Sequence, residues 1–416
     1  MAGSFLNALL STSDTTYDII MFRTGGRLAH YWGDTSDSGH VLKHLYIAGQ
    51  TAPGGGFIYT KRSPLGQELT EYGSDIVVRY LSGQKFDGRG IRMCGDRVIL
   101  DHLSISRTGA DPGASNTDAL QTCQRDGTPE GRFGTFTVSN NLLGDAHTDG
   151  NSTTNMNGRL QTVARNYAFG VGRRMFNINS DTATVSGFRL ANNVVYNWGG
   201  NGAYAGIFST QVVGSYVYNY MKPGPATPST PLYRNAPAHW QDLCGATAYP
   251  SGCDFSLQWE GNRTHINGYT TVSADTSWAN GELRCRNSGT NEYTPDCASD
   301  DDLVPQAFRR NTDIWTHIGQ EPYWPYLVRE PLTDAYVDSI MADVGNSKML
   351  NCDGTWSARR STYDSTVVAQ FAANTGASSA IDWDYTTHDD PDSIPVVAIP
   401  SAGTACGMVT SGQGTG

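Results

Sequence analysis

The chain has 416 residues, which is long enough for a large hydrophobic core. Only 38% of the residues are hydrophobic, 17% are charged and 47 are glycine, a composition that favours turn-rich β structure over a helix bundle. The formal net charge of −11 at pH 7 argues against nucleic acid as a partner. An acidic polymer would need a local basic patch on such a chain.

The N-terminal segment allows two ways of closing the beginning of a repeat fold. Residues 4–10 read Ser-Phe-Leu-Asn-Ala-Leu-Leu, which suits a short capping helix. The alternative is a partner chain or domain over this end, because a bare end would expose strand edges. No stretch is apolar enough for a membrane span, and the N-terminus lacks the basic and apolar regions of a signal peptide. We therefore expect a soluble chain without a membrane partner.

Seven short segments repeat one pattern, in which an aliphatic or aromatic run ends at a polar residue. They are residues 75–81, 98–105, 136–143, 161–168, 188–196, 212–219 and 255–262. Superposing them aligns Arg79, His102, Asn141, Asn166 and Asn193, at spacings typical of one coil of a solenoid. Each coil would bury one apolar face against its neighbours, and the polar residues would stack into a ladder. The sequence therefore predicts an all-β, right-handed parallel β-helix.

The chain divides into three regions within one structural domain. Residues 1–73 hold the N-terminal coils and a loop, 74–267 form the regular β-helix, and 268–416 form an irregular C-terminal extension. Helical periodicity in the extension is confined to Leu332–Val344 and Ser361–Asn374. In the second segment Val367, Phe371 and Ala372 share one helical face, so we expect this helix to pack against the β-helix.

Cysteine spacing indicates the compartment. The chain has eight cysteines, and Cys244 with Cys253 and Cys285 with Cys297 form two close pairs in loop-like stretches. We interpret these pairs as disulfide-stapled loops, which predicts an oxidising, extracellular environment. Zinc is the alternative, but the chain contains no CxxC pair.

Several motifs resemble the pectate-lyase-like β-helix proteins of polysaccharide lyase family 1. The similar segments are Ile47–Gly56, Val98–His102, Asn192–Gly199, Tyr220–Thr227 and the run from Arg360 to Asp392. The resemblance implies cleavage of a uronic-acid-containing polysaccharide by β-elimination, with an arginine as general base and Ca²⁺ to neutralise the uronate. The partner would then be an acidic polysaccharide and the cofactor calcium.

The resemblance places the catalytic arginine at Arg174, after the ladder residue Asn166 and a glycine-containing loop. Arg173 beside it would bind a carboxylate bidentately. The chain departs from the family where Arg174 continues into Met175-Phe176-Asn177, because family members often have a proline and a second arginine there. This departure bears on how the substrate is bound.

The same resemblance supplies metal and substrate positions. Asp118 matches an acidic position in the family, although Ala119 follows it where relatives have a glutamate. A calcium ion needs six or more oxygen ligands, so further carboxylates are required. The predicted metal ligands are Asp118, Asp87, Asp145 and Asp149. The predicted substrate-binding residues are His147, Lys222 and Arg89.

Two other function classes fit the same fold, since a fold alone does not determine activity. A β-helix glycoside hydrolase or phage tailspike-like depolymerase would use paired carboxylates such as Asp145 and Asp149, and it could be virion-associated rather than simply secreted. A carbohydrate-binding β-helix would have no chemistry at all. Substitution of Arg174 separates the lyase from the hydrolase, because a hydrolase would tolerate it.

Overall fold

The computed structural model describes the chain in segments. These are residues 5–13, 15–30, 42–61, 73–86, 90–108, 118–123, 134–146, 152–158, 160–170, 174–179, 186–198, 204–208, 211–227, 238–240, 254–266, 271–275, 283–285, 309–310 and 330–376. The predicted disulfide pairs and the tail beyond residue 376 lie outside these segments, apart from the backbone of Cys285.

Parallel strands stack into three sheets that wind around one core. Sheet 1 contains β1 (Asp18–Met21), β3 (Lys43–Ala48), β5 (Gly73–Arg79), β7 (Ile91–Asp101), β10 (Thr135–Ser139), β13 (Leu160–Ala164), β16 (Ser186–Ala191), β19 (Gln211–Val217), β22 (Asp254–Glu260) and β26 (Arg309–Arg310). Sheet 2 contains β2 (Gly26–His30), β4 (Phe57–Lys61), β6 (Ser82–Phe86), β8 (Ser104–Thr108), β11 (Leu142–Ala146), β14 (Tyr167–Phe169), β17 (Val194–Tyr196), β20 (Tyr220–Lys222), β23 (Asn262–Ile266) and the antiparallel β24 (Thr271–Asp275).

Sheet 3 consists of the first residues of β7 followed by β9 (Leu120–Cys123), β12 (Ser152–Asn157), β15 (Arg174–Asn179) and β18 (Tyr204–Phe208). Two small sheets lie apart, formed by β21 (Ala238–Trp240) with β25 (Leu283–Cys285) and by β27 (Lys348–Leu350) with β28 (Trp356–Ala358). The predicted right-handed parallel β-helix is confirmed.

The corner between sheet 1 and sheet 2 repeats in every regular coil. One residue there adopts a left-handed backbone, as His102, Asn140, Arg165 and Asn192 do at φ of 53–58°, a conformation that costs an L-residue about 1 kcal/mol or more. The next residue is the ladder position, and it is fully buried. The ladder residues are Asn141, Asn166, Asn193, Asn219 and Asn262.

The predicted ladder is correct for its asparagines and wrong for its first two members. His102 is level with the left-handed Asn140, one residue before the ladder, because Ser104 pairs with Leu142. Arg79 lies in β5 opposite Asp101, two residues early. The residues in the ladder line of these coils are Leu81 and Leu103, and the Leu103 amide donates to Asn141 Oδ1 at 2.7 Å.

Helix α1 (Phe5–Leu10) closes the first coil, which confirms the capping helix among the two sequence alternatives. Phe5 and Leu9 are buried in the main core, and the Phe5 ring lies 5.3 Å from that of Phe22 and 5.8 Å from that of Phe57. These contacts cover the apolar interior that the first strands would otherwise expose.

The C-terminal strap, residues 330–376, packs along sheet 2. It contains helix α2 (Asp334–Asp343) and helix α3 (Thr362–Ala373), whose N-termini are capped by the side chains of Thr333 and Ser361. Val367 and Phe371 of α3 are buried against sheet 2 as predicted, whereas Ala372 is exposed. Among the described residues, no helix is long and apolar enough to cross a membrane.

Candidate functional site

Arg174 is the first residue of β15 in sheet 3. Its backbone pairs with Ser152 of β12 on one side and with Tyr204 of β18 on the other. Further along the same strand, Phe176 is buried in the core. The buried strand thus fixes the backbone position of Arg174 at the edge where the preceding loop meets the sheet.

Asp118 lies two residues before β9, which is two strands away from β15 in sheet 3. It stands outside the paired stretch, in which Leu120 lies opposite Thr154 and Gln121 opposite Asn155. Asp118 and Arg174 therefore both lie where a strand of sheet 3 begins, with β12 between the two strands.

The Asp118 carboxylate is buried, with an exposed fraction of 2%. Asn155 of β12 donates from Nδ2 to Asp118 Oδ2 at 3.1 Å, and the Gly90 amide donates to the Asp118 carbonyl at 2.9 Å. These bonds hold Asp118 between the coils of β7 and β12. Asn155 was missed in the sequence, since a single asparagine in a strand gives no motif; only the pairing of strands shows that it reaches Asp118.

A polar row crosses the outer face of sheet 3 beside Asp118. Arg92 pairs with Gln121, Gln121 with Asn155, and Asn155 with Asn177. The strand neighbours Met93, Leu120 and Met156 are buried in the core, so alternation directs Arg92, Gln121 and Asn155 outward. Such a row runs along the β-helix axis, the direction in which an extended polymer would lie.

Asp145 and Lys222 lie in sheet 2, beneath helix α3. The Tyr363 hydroxyl donates to Asp145 Oδ2, and Lys222 Nζ donates to the carbonyl of Phe371. Burial raises the pKa of Asp145 to about 6 and lowers the pKa of Lys222. Asp145 and Lys222 therefore do not lie beside Asp118 and Arg174, and they are not part of the proposed site.

Five predicted residues have no described position. Arg173, Arg89, Asp87, His147 and Asp149 lie outside the described residues, and their predicted roles stay predictions.

The residues with described positions do not by themselves form a calcium site. Within them, no three His, Cys, Asp or Glu side chains are grouped so that they could hold a metal ion. Asp118 supplies one carboxylate and its neighbour Asn155 supplies an amide, which is short of the ligand number calcium requires.

The stacked parallel sheets of this right-handed β-helix fit a pectate-lyase-like architecture. The chain is similar to proteins named "Probable pectate lyase C", which supports the resemblance seen in its motifs. The protein from Aspergillus fumigatus is 31% identical over 259 residues, covering 57% of this chain and 51% of that protein. The one from Neosartorya fischeri is 30% identical over the same length.

The chain thus spans about half the length of the curated relatives it matches. No family model matches it.

Proposed function

We propose that this chain is a polysaccharide lyase that cleaves a uronate-containing polymer by β-elimination, with Arg174 as the general base. The observation that carries the proposal is the position of Arg174 at the start of β15 and of Asp118 just before β9, two strands of sheet 3 that flank β12. The similarity to proteins named as pectate lyases supports the same chemistry.

The reaction sets clear demands on the site. The base removes the proton next to the uronate carboxylate, the C–H electrons form a carbon–carbon double bond, and the glycosidic oxygen leaves with the other sugar. Negative charge accumulates on the carboxylate in the transition state and must be stabilised by positive groups. An arginine accepts a proton only where its surroundings disfavour the charged form, since its ordinary pKa exceeds 12.

The finer assignments follow from the resemblance. Arg173 would bind the substrate carboxylate, with Arg89 and His147 as further substrate contacts. Calcium would be held by Asp118 with Asp87 and Asp149. The proton removal and bond cleavage can be written without it. The extracellular location is proposed from the cysteine pairs and the class of polymer.

The paired-carboxylate hydrolase is less well supported. Its candidate Asp145 is 6% exposed and bonded to Tyr363 under helix α3, where a polysaccharide chain has no room beside it. A hydrolase also needs a second carboxyl group across the scissile bond. The described contacts of Asp145 include no other carboxyl group.

The test is a digestion of acidic polysaccharides monitored by the ultraviolet absorbance of the unsaturated uronate, with added calcium and with a chelator. We expect Arg174→Ala and Arg174→Lys to reduce kcat by about 10²–10⁴-fold. Arg97→Lys is the matched control, because Arg97 pairs with Asp75 on the outer side of sheet 1.

Each other outcome has a distinct meaning. Full activity in the folded Arg174 variants would overturn the assignment of the base. New reducing ends without the ultraviolet signal would indicate hydrolysis. Binding without any product would indicate a carbohydrate-binding protein.

A further inference from the structure

His102 lies between two carboxylates that belong to different parts of the molecule. Its Nδ1 is 2.8 Å from Oδ2 of Asp101 at the end of β7, and its Nε2 is 3.3 Å from Oδ2 of Asp343 at the end of helix α2. The imidazole is 5% exposed and stacks on the Tyr80 ring, with 4.5 Å between centroids. One buried side chain thus joins the β-helix to the C-terminal strap.

Asp101 has three hydrogen-bond donors besides His102. They are Arg79 Nε at 2.7 Å, Ser139 Oγ at 2.8 Å and Asn140 Nδ2 at 2.9 Å. Burial alone would raise the pKa of Asp101, but the hydrogen bonds and charges of His102, Asn140 and Arg79 lower the pKa to about 2. The Nδ1–H of His102 therefore faces an anionic acceptor near neutral pH.

Asp343 depends more strongly on cations. It is the last residue of α2, where the helix dipole disfavours a negative charge, and the last turn of α2 contains no basic residue. The compensating charges come from outside the helix: His102, Lys348, which pairs with Oδ1, and Arg165, whose Nη2 is 3.9 Å away. The 3.3 Å contact with His102 Nε2 is an ion pair only when the ring is protonated, so its strength depends on the positive charge of the ring.

We propose that His102 is a pH-sensitive switch that fastens the end of helix α2 to the β-helix. The imidazolium attracts both carboxylates at once. The neutral ring keeps its bond to Asp101 and turns an unprotonated Nε2 toward Asp343, so the attraction to the strap is lost while Lys348 and Arg165 remain.

The direction of the pH dependence follows from linkage. Burial alone would lower the pKa of His102, but the two carboxylates outweigh it and raise the pKa above its ordinary value of 6.5. A group with a raised folded pKa contributes full stability below its unfolded pKa and loses it as pH rises through the folded value. The strap is therefore fastened below pH 6.5 and loosens as the pH rises through the raised pKa of His102.

Hydrogen–deuterium exchange of the full chain between pH 6 and pH 9.5, corrected for intrinsic exchange, measures this directly. We expect opening of residues 334–344 to increase by roughly tenfold for each unit by which the folded pKa exceeds the unfolded one. In His102→Gln the same segment should open to the same extent at both pH values. His44→Gln is the matched control, since His44 pairs with Asp75 and contacts the Tyr17 ring on sheet 1 and should behave as wild type.

The proposal would be overturned if the protection of residues 334–344 in the wild-type protein did not change with pH. It would also be overturned if His102→Gln kept the pH response of the wild type. If His102→Gln does not fold, Asp343→Asn provides the second test, because it removes the strap's partner and leaves the β-helix side unchanged. A pH response that persists in Asp343→Asn would also refute the switch.

Discussion

Asp145 shows how a single residue can be displaced from the role its sequence suggests. It follows the ladder residue Asn141 by four positions, so counting from the ladder places it in sheet 2 rather than sheet 3. Helix α3 then covers it, and Arg107 lies over the ring of its partner Tyr363 at 4.2 Å. Burial raises the pKa of the carboxyl and outweighs the lowering by the Tyr363 hydrogen bond and the Arg107 charge.

This burial makes Asp145 destabilising at neutral pH. A carboxyl whose folded pKa is raised to about 6 contributes stability below its unfolded pKa and loses it as pH rises through the folded value, a change of about 3 kcal/mol. We expect Asp145→Asn, which keeps an acceptor for Tyr363, to stabilise the protein at pH 8 and to have little effect at pH 4. Urea unfolding at the two pH values tests this, with the exposed Asp353→Asn as control. Equal effects at both pH values would contradict it.

The asparagine ladder is the element that fixes the coils in register. Asn166 Oδ1 accepts from both the backbone amide and Nδ2 of Asn141 at 2.9 Å, and Asn166 Nδ2 donates to Val138 O and to Asn193 Oδ1 at 2.9 Å. All these groups are buried. Each asparagine therefore satisfies the polar groups of the coil before it as well as its own.

Position in the ladder should determine the cost of losing a member. Asn166→Leu would leave several buried polar groups without partners, at about 3 kcal/mol. Asn141→Leu should cost about 1 kcal/mol less, because its preceding coil already has Leu103 in the ladder line and only one amide there depends on Asn141. Urea denaturation of both variants measures the difference, and equal losses would show that the ladder is not cooperative.

Much of this architecture could be predicted from the sequence because the coil repeats. Aliphatic runs ending in asparagine give the strands and the ladder, and capped periodic segments give both C-terminal helices. Polar residues at neighbouring corner positions misled the alignment at Arg79 and His102. The sequence could not show that Lys222 is covered, because no pattern indicates that helix α3 packs over the strand that contains this residue. Contacts such as that of Asn155 with Asp118 depend on strand pairing across 37 residues.

At the scale of the whole molecule, the strap joins coils that a solenoid would otherwise connect only through their neighbours. Arg359 is buried and donates to the carbonyls of Ala52, Gly49 and Tyr80 in the first coils, at 2.7, 3.3 and 3.4 Å. Helix α3 packs on Tyr167, Tyr196 and Tyr220 much further along the stack. The strap therefore links the beginning and the middle of the β-helix directly.

We expect Arg359→Met to uncouple these regions. The substitution leaves three buried carbonyls with one fewer donor and should destabilise the first coils by about 3 kcal/mol, while the coils under helix α3 keep their contacts. Unfolding should then change from one cooperative transition to two, because the strap loses its bonds to the carbonyls of the first coils and the remaining coupling runs mainly between neighbouring coils. Scanning calorimetry would show this as a van't Hoff enthalpy that falls below the calorimetric enthalpy. Arg263→Met is the control, since Arg263 joins the strap to the same region that α3 already covers; a single transition in both variants would mean that the strap does not couple the two regions.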